Sequence, residues 1–364
     1  ETHSHMVTNE AVFNAVVQTI NNDPNVSAND ENVIVLCTSI PLTDNYTLYN
    51  GKKTTIEGEG NTITVNPGAG ITVTGEGTVL NLGAEGYAEK LTIDGNAKGA
   101  FITVSGGATA HMYENVTLQN RQQVDQACVV LEENSVFNMH GGVIQNCKGK
   151  YGGVSLKNGS RFIMEGGTIS ECEANAGGGL YATNQSTITI NNGTISGCSA
   201  GAGGGLYATY SSKITINKGT ISECSASEGG GLYVTDSTLN IEGGTISGCT
   251  ASGAGMGGGL YAYSSTITIS GGTIENNKAI YGGGVALNNS WINPITNWKV
   301  IGNEAYKTKS GNGGIGGGIY LESVLMNVSD GSNKIYNNQA EGHGADICLD
   351  GSTSSIALPD AAGM

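Results

Sequence analysis

Apolar and polar residues alternate through many short stretches of the chain, as in Thr187-Ile188-Thr189-Ile190, Lys213-Ile214-Thr215-Ile216, Thr238-Leu239-Asn240-Ile241 and Thr266-Ile267-Thr268-Ile269. A period of two sends one side-chain set inward and the other outward, so each stretch predicts a half-buried β-strand. Two further patterns follow in fixed order. The first is Gly-Gly-Thr-Ile-Ser-x-Cys, at Gly166–Cys172 and around Ile195/Cys198, Ile221/Cys224 and Ile246/Cys249. It decays to Ile274/Asn277, Ile301/Asn303 and Ile335/Asn338. The second is three glycines, an aliphatic residue and usually tyrosine, at Gly177–Tyr181, Gly203–Tyr207, Gly229–Tyr233, Gly257–Tyr261 and Gly316–Tyr320. Glycine and asparagine between the segments accept the left-handed backbone of tight corners.

The inward position repeats every 26 residues through Val154, Leu180, Leu206 and Leu232. Three strands per repeat, with equivalent residues one repeat apart, stack like on like. That is an all-β parallel β-helix of about eleven or twelve coils, each coil burying its apolar side chains against its neighbours.

The opening of the chain reads differently. Residues 1–6 (Glu-Thr-His-Ser-His-Met) look like a cloning remnant and are set aside from the fold. Val12, Phe13, Val16, Val17 and Ile20 share one helical face, with Thr8 as N-cap and Asn21-Asn22-Asp23-Pro24 as the stop. A helix here covers the open edge of the first coil. The division that follows is 7–50 for the cap helix and first strand, 51–350 for the β-helix and 351–364 for a C-terminal tail.

Composition narrows the functional classes. Glycine supplies 59 of 364 residues, charged residues only 13%, and the formal charge is −15. Such a surface repels phosphate backbones, so no nucleic acid is expected as a partner. No apolar run is long enough to span a bilayer, so no membrane insertion is expected either. The isolated chain is expected to be a monomer.

With the register in hand, two resemblances appear. The start of the chain, through Asn32–Leu36 and Thr54-Thr55-Ile56-Glu57-Gly58, resembles the opening of pectin-lyase-like right-handed β-helices. The body, with Gly-Gly-[Gly/Ala]-[Leu/Ile/Val] alternating with Ile-x-x-Asn, resembles the repeats of polymorphic outer-membrane protein adhesins over roughly residues 90–350. It departs from them in carrying isoleucine for phenylalanine and cysteine for asparagine in five coils. The resemblance implies a right-handed coil and a passenger or adhesin displayed on a bacterial surface, hence an extracellular location.

Gly342-His343-Gly344 matches a polygalacturonase-type triplet, but it lines up with the glycine triplets of the other coils and lacks a paired aspartate; Asp346 and Asp350 stand singly. General acid/base work needs a second positioned group. Arg121 and Arg161, the only arginines, have no aspartate cluster in neighbouring coils, and the five histidines are scattered. No catalytic residues, metal site or cofactor are therefore expected. Cys147, Cys172, Cys198, Cys224 and Cys249 recur every 25 or 26 residues and should stack in one ladder. The roughly 4.8 Å strand spacing admits disulfides, yet asparagine takes the same slot later, which favours buried thiols. The threonine rows Thr168/Ser170, Thr194/Ser196, Thr220/Ser222 and Thr245/Ser247 are too short and too interrupted by Glu275 to suggest ice binding.

The informative outward feature is aromatic. With leucine inward, Tyr181, Tyr207, Tyr233, Tyr261 and Tyr320 point outward, beside Tyr263 and Tyr210. Mutual stacking over the sheet is one reading, and a contact strip for protein or sugar rings is the other. Two long corners favour contact: Ile195 to Leu206 takes 11 residues, but Ile246 to Leu260 takes 14 and Ile301 to Ile319 takes 18. These insertions, Ala251–Met256 and Tyr306–Ile315, should flank the strip on either side of Lys278–Tyr281. Trp291 and Trp298 lie in the coil between them. Loops on a rigid scaffold commonly carry function. The expected binding set is Tyr181, Tyr207, Tyr233, Tyr261, Tyr263, Tyr281, Trp291, Trp298, Tyr306 and Tyr320, and the expected partner is a host or neighbouring-cell protein, glycoprotein or glycan. A polysaccharide-active enzyme and a structural stalk are the alternatives.

Overall fold

A computed structural model describes residues 1–95, 98–122, 125–253, 255–328, 332–351 and 354–357. The fold class is as expected: an all-β, right-handed parallel β-solenoid with one short helix near its N-terminal end. Among the described residues each of three sheets collects twelve strands, and the solenoid makes about 13 turns, close to the eleven or twelve coils expected. The chain divides into two compact units, residues 1–173 with 185–188 and residues 174–184 with 189–364.

In the first unit, strands such as Ile102–Ser105, Val129–Leu131 and Val154–Leu156 pair in parallel, one coil to the next. The helix Glu10–Asn22 covers the opening as expected, burying Phe13, Val17, Ile20 and Asn21. Phe13 meets Tyr46 edge-on at 5.1 Å. The N-cap is Asn9 rather than Thr8: its side chain accepts from the Val12 N–H at 2.9 Å. Residues 1–6 are not outside the fold. Thr2–Val7 form a strand paired with Glu31–Leu36, because the alternation from His3 to Val7 meets an unpaired first edge. The stretch 7–50 holds three strands beyond that one, Glu31–Leu36, Ile40–Leu42 and Asn45–Leu48.

In the second unit the predicted register holds strand by strand. Leu180, Leu206, Leu232, Leu260, Val285, Ile319 and Ile347 form one inward row. On another face Ile246, Ile274, Val300 and Ile335 form a second row, so Val300, not Ile301, takes the inward place in its coil. With Val300 the spacing to Asn303 matches the other coils. A short fourth strand, absent from the three-strand reading, runs before the glycine triplets: Ser199–Ala202, Ser225–Glu228, Thr250–Ala251, Lys278–Ala279, Glu304–Ala305 and Gln339–Ala340. Its small residues carry no apolar alternation to announce it. The tail is partly folded, since Ser355–Ala357 pairs with Leu325–Asn327; residues 352–353 and 358–364 lie outside the described residues.

The glycine triplet and the ladder corner fit one another. The first glycine is left-handed, as at Gly203 with φ +62°. A Cβ on the third, Gly205, would sit 2.8 Å from Ile221 and 3.4 Å from Cys224 Sγ of the next coil. Glycine leaves the room that the ladder side chain fills. Cys224 Sγ lies 3.9 Å from the Ile195 carbonyl and Cys249 Sγ 3.8 Å from that of Ile221. Asn277 Nδ2 and Asn303 Nδ2 donate to the equivalent carbonyls of Ile246 and Ile274, each at 3.0 Å. Thiol and amide thus serve the same buried carbonyl. None of the eight cysteines is in a disulfide, and all five ladder cysteines are buried.

Candidate interaction surface

The tyrosines sit on the outer side of the Leu-Tyr-Ala strands, and the structure splits them into an open stretch and a covered one. Tyr181, Tyr207 and Tyr233 stand in register and are half-buried. Tyr181 and Tyr207 stack at 5.5 Å and 4°, and Tyr207 meets Tyr233 edge-on at 5.1 Å. Both ring geometries are favourable aromatic arrangements. Burial lifts the Tyr207 and Tyr233 phenols above their ordinary range. Tyr263, two residues along from Tyr261, and Tyr210 at a left-handed corner are exposed, at 40% and 65%.

Beyond Tyr233 the row changes character. Tyr261 and Tyr320 point outward as predicted but are only 6% and 4% exposed, so neither offers a free ring face. The register explains the cover. Ala286 stands between Tyr261 and Tyr320 in the row, and the gap is filled from the preceding corner by Tyr281. Tyr281 packs 5.5 Å from Tyr320. Met256 and Ile315, the ends of the two long insertions, form β-bridges to Tyr281 on either side and pack on the same cluster. The insertions therefore flank the strip as expected but roof it over rather than frame it. Apolar residues at their ends bury the rings, and Ala254 within the first insertion lies outside the described residues.

The remaining candidates are used in other ways. Tyr306 ties the insertions together, its hydroxyl donating to the Ala251 carbonyl at 3.3 Å, and burial raises its pKa. Tyr320 donates to Asp350 Oδ2 at 2.7 Å. Trp298 is 1% exposed, in the core, and is no contact residue. It immediately precedes Lys299–Ile301, and its backbone N–H donates to Asn333 Oδ1 at 2.9 Å. Trp291 is 72% exposed but stands in register with Thr266 on a different face from the tyrosines. One coil holds both tryptophans, yet they join neither each other nor the strip.

The residues weighed for chemistry are likewise placed. His343 is exposed and lines up with Ile315, so the glycine-triplet slot is taken by residues 344–346, two residues later than the sequence alignment of 342–344. Asp346 Oδ1 accepts from Asn338 Nδ2 at 2.9 Å and ends the asparagine ladder. Arg121 is buried, its guanidinium donating to the Gly99, Gln126 and Lys148 carbonyls and paired with Asp125. No group of three or more His, Cys, Asp or Glu among the described residues is arranged to hold a metal ion.

One cluster escaped the sequence reading. His111 Nδ1 and His140 Nε2, on consecutive coils of the first unit, lie 2.9 Å apart. Their rings are nearly coplanar, with 7° between planes and centroids 5.2 Å apart, so the nitrogens face each other head-on along one hydrogen bond. Tyr113 lies 4.8 Å from the His140 ring. Burial first, and the His140 charge second, hold the His111 pKa below its ordinary value. The separation of 29 residues, about one coil, was the available signal.

Residues 127–256 match the family model described as the right handed beta helix region. No curated protein and no solved structure matches the chain. The matched stretch covers the most regular repeats in the sequence, those that carry the cysteine ladder and the stacked tyrosines.

Proposed function

We propose that this chain is a non-catalytic binding module of the adhesin type, displayed on a bacterial surface and recognising a protein or glycan of a host or neighbouring cell. The observation that carries this reading is the open half of the tyrosine row. Tyr181, Tyr207 and Tyr233 present a contiguous aromatic strip on a rigid parallel sheet, with Tyr210 and Tyr263 beside it. A tyrosine ring offers large amphipathic area with little entropy to lose on binding, because the stack already holds it. The likeness of the repeats to polymorphic outer-membrane protein adhesins supports the same reading, and the likeness to pectin-lyase-like proteins supports the right-handed coil.

The test immobilises the intact chain against a glycan array and host secretions, alongside the Tyr181→Ser, Tyr207→Ser, Tyr233→Ser triple variant with far-UV circular dichroism as a folding control. Capture by the parent and at least about tenfold weaker capture by the variant is expected. Equal capture by both chains overturns the strip as the contact surface. Release of oligosaccharides from polygalacturonate by the chain would replace the reading with a polysaccharide-active enzyme.

A further inference from the structure

Trp291 stands apart from everything else on the surface. An exposed indole forgoes burial of about 150–250 Å² of ring surface, and the same coil buries Trp298 completely. Beside Trp291 opens a cleft of about 340 Å³, lined chiefly by Asn289, Ser290, Trp291, Ser323, Leu325 and Asn327. That volume lies in the range of small-ligand sites. Leu325 is 52% exposed and gives the cleft a second apolar wall.

The walls stand on corners and a strand of consecutive coils. Asn289 and Ser323 hold equivalent left-handed corners of consecutive coils, with φ of 46° and 54°. The Asn289 N–H donates to the Glu322 carbonyl at 3.0 Å. Asn289 Nδ2 is oriented by Ser264 Oγ at 3.1 Å, and Ser290 Oγ by the Asn288 carbonyl at 2.9 Å. Asn327 lies in a paired strand, Leu325–Asn327.

The chemistry of the lining selects the ligand. Among the described residues it combines one flat aromatic face, aliphatic surface from Ile292 and Leu325, and otherwise only neutral amide and hydroxyl groups, with no carboxylate, ammonium or guanidinium. An anionic ligand would meet no counter-charge among the described lining residues and a chain of charge −15. A sugar ring carries a C–H face that packs on an aromatic plane and a rim of hydroxyls that both donate and accept. Side-chain amides and hydroxyls meet such a rim without a net charge. We infer that the Trp291 cleft is a binding subsite for a neutral oligosaccharide, of one or two rings. This rests on the reading of the chain as a binding module, but on a face separate from the tyrosine strip.

The experiment uses acrylamide quenching of tryptophan fluorescence in the intact chain, since Trp298 is buried and Trp291 supplies the quenchable emission. The probes are cellobiose, N,N′-diacetylchitobiose, N-acetyllactosamine and mannobiose, with digalacturonate as the acidic control. At least one neutral disaccharide is expected to reduce quenching, and Trp291→Ala to weaken its binding about tenfold or more by calorimetry. The Trp291→Phe variant is expected to retain much of the affinity, and the tyrosine triple variant all of it. Protection by none of the neutral sugars, binding of digalacturonate in preference to them, or full affinity in Trp291→Ala each overturns the subsite. Those results leave the tyrosine strip untouched, since loss of capture by the triple variant is read in a separate assay.

Discussion

The rings of Tyr233 and Tyr261 lie 4.8 Å apart and 20° from parallel, yet the first is half-open to solvent and the second is roofed over. One strand-to-strand step separates the half-buried rings from the covered cluster, and Tyr233 packs against the edge of that cluster. On the open side lie Tyr207 and Tyr181; on the covered side lie Tyr281, Met256, Ile315 and Tyr320.

That boundary predicts two kinds of mutational effect. Tyr261→Ala removes a ring from a packed cluster and is expected to destabilise by about 3 kcal/mol or more. Tyr181→Ala, at the open end, is expected to cost below about 1 kcal/mol. Tyr320→Phe keeps the ring and loses the bond to Asp350, an intermediate loss of about 1–2 kcal/mol. Urea denaturation of the three variants checks the order, and equal losses for Tyr261→Ala and Tyr181→Ala would contradict it.

The ladder makes a prediction about side-chain chemistry rather than size. Cys249 Sγ lies 3.4 Å from the Ser247 carbonyl and 3.8 Å from that of Ile221, while the next position along is Asn277. Asparagine at 249 can donate to those acceptors, whereas valine offers them no donor, although the Ser247 carbonyl keeps the Glu223 N–H at 3.0 Å. Cys249→Asn is therefore expected to be more stable than Cys249→Val by about 1–2 kcal/mol. Thermal unfolding of the pair measures the difference, and a more stable valine variant would show that packing alone governs the corner.

The thiols themselves give a simple count. Cys37 is exposed, Cys348 partly so with its pKa raised by burial, and the other six are buried. In the native protein, titration with a thiol reagent should find Cys37 reacting quickly and Cys348 slowly. Unfolding without reductant should bring the total to eight, the number of cysteines in the chain. A total below that shows disulfides.

How much of this was legible beforehand follows from what the repeats encode. Period-two alternation and the 26-residue spacing identified the inward rows and the outward tyrosines, because those positions answer to the coil alone. The cover over Tyr261 and Tyr320 was not legible. It depends on Ala286 opening a gap and on the insertion ends, Met256 and Ile315, reaching it, which is tertiary information. Trp298 follows the same logic: tryptophan beside an insertion reads as surface, and only the fold shows it packed before the Lys299–Ile301 strand. The strand at Thr2–Val7 is signalled only by its alternation, which its likeness to a cloning remnant obscures. The His111–His140 pair was missed because no repeat motif carries it.

That pair predicts an acid limb in stability. The folded His111 pKa is depressed, so below the ordinary histidine value near 6.5 the unfolded chain binds more protons at this residue. Its contribution is complete above that value and is lost as pH falls through the folded pKa. A second proton would also set two N–H groups against each other across 2.9 Å. Tyr113 and Glu114 flank the pair, and Glu114, lowered chiefly by hydrogen bonds from its own N–H and that of Gly86, faces the His140 charge. His111→Asn is expected to flatten the decline of melting temperature between about pH 7 and 5. An unchanged decline would place the proton uptake elsewhere.

The proposed function places the contact surface of a binding module on the open tyrosines. Its most direct measurement is capture by the immobilised chain from host secretions and a glycan array, comparing the parent, the Tyr181/Tyr207/Tyr233→Ser variant and Tyr306→Phe. Tyr306→Phe removes only the hydroxyl bond to Ala251 in the covered region. Capture by the parent and by Tyr306→Phe is expected, with capture at least about tenfold weaker by the folded triple variant. Undiminished capture by the triple variant, or no capture by the parent, would contradict it.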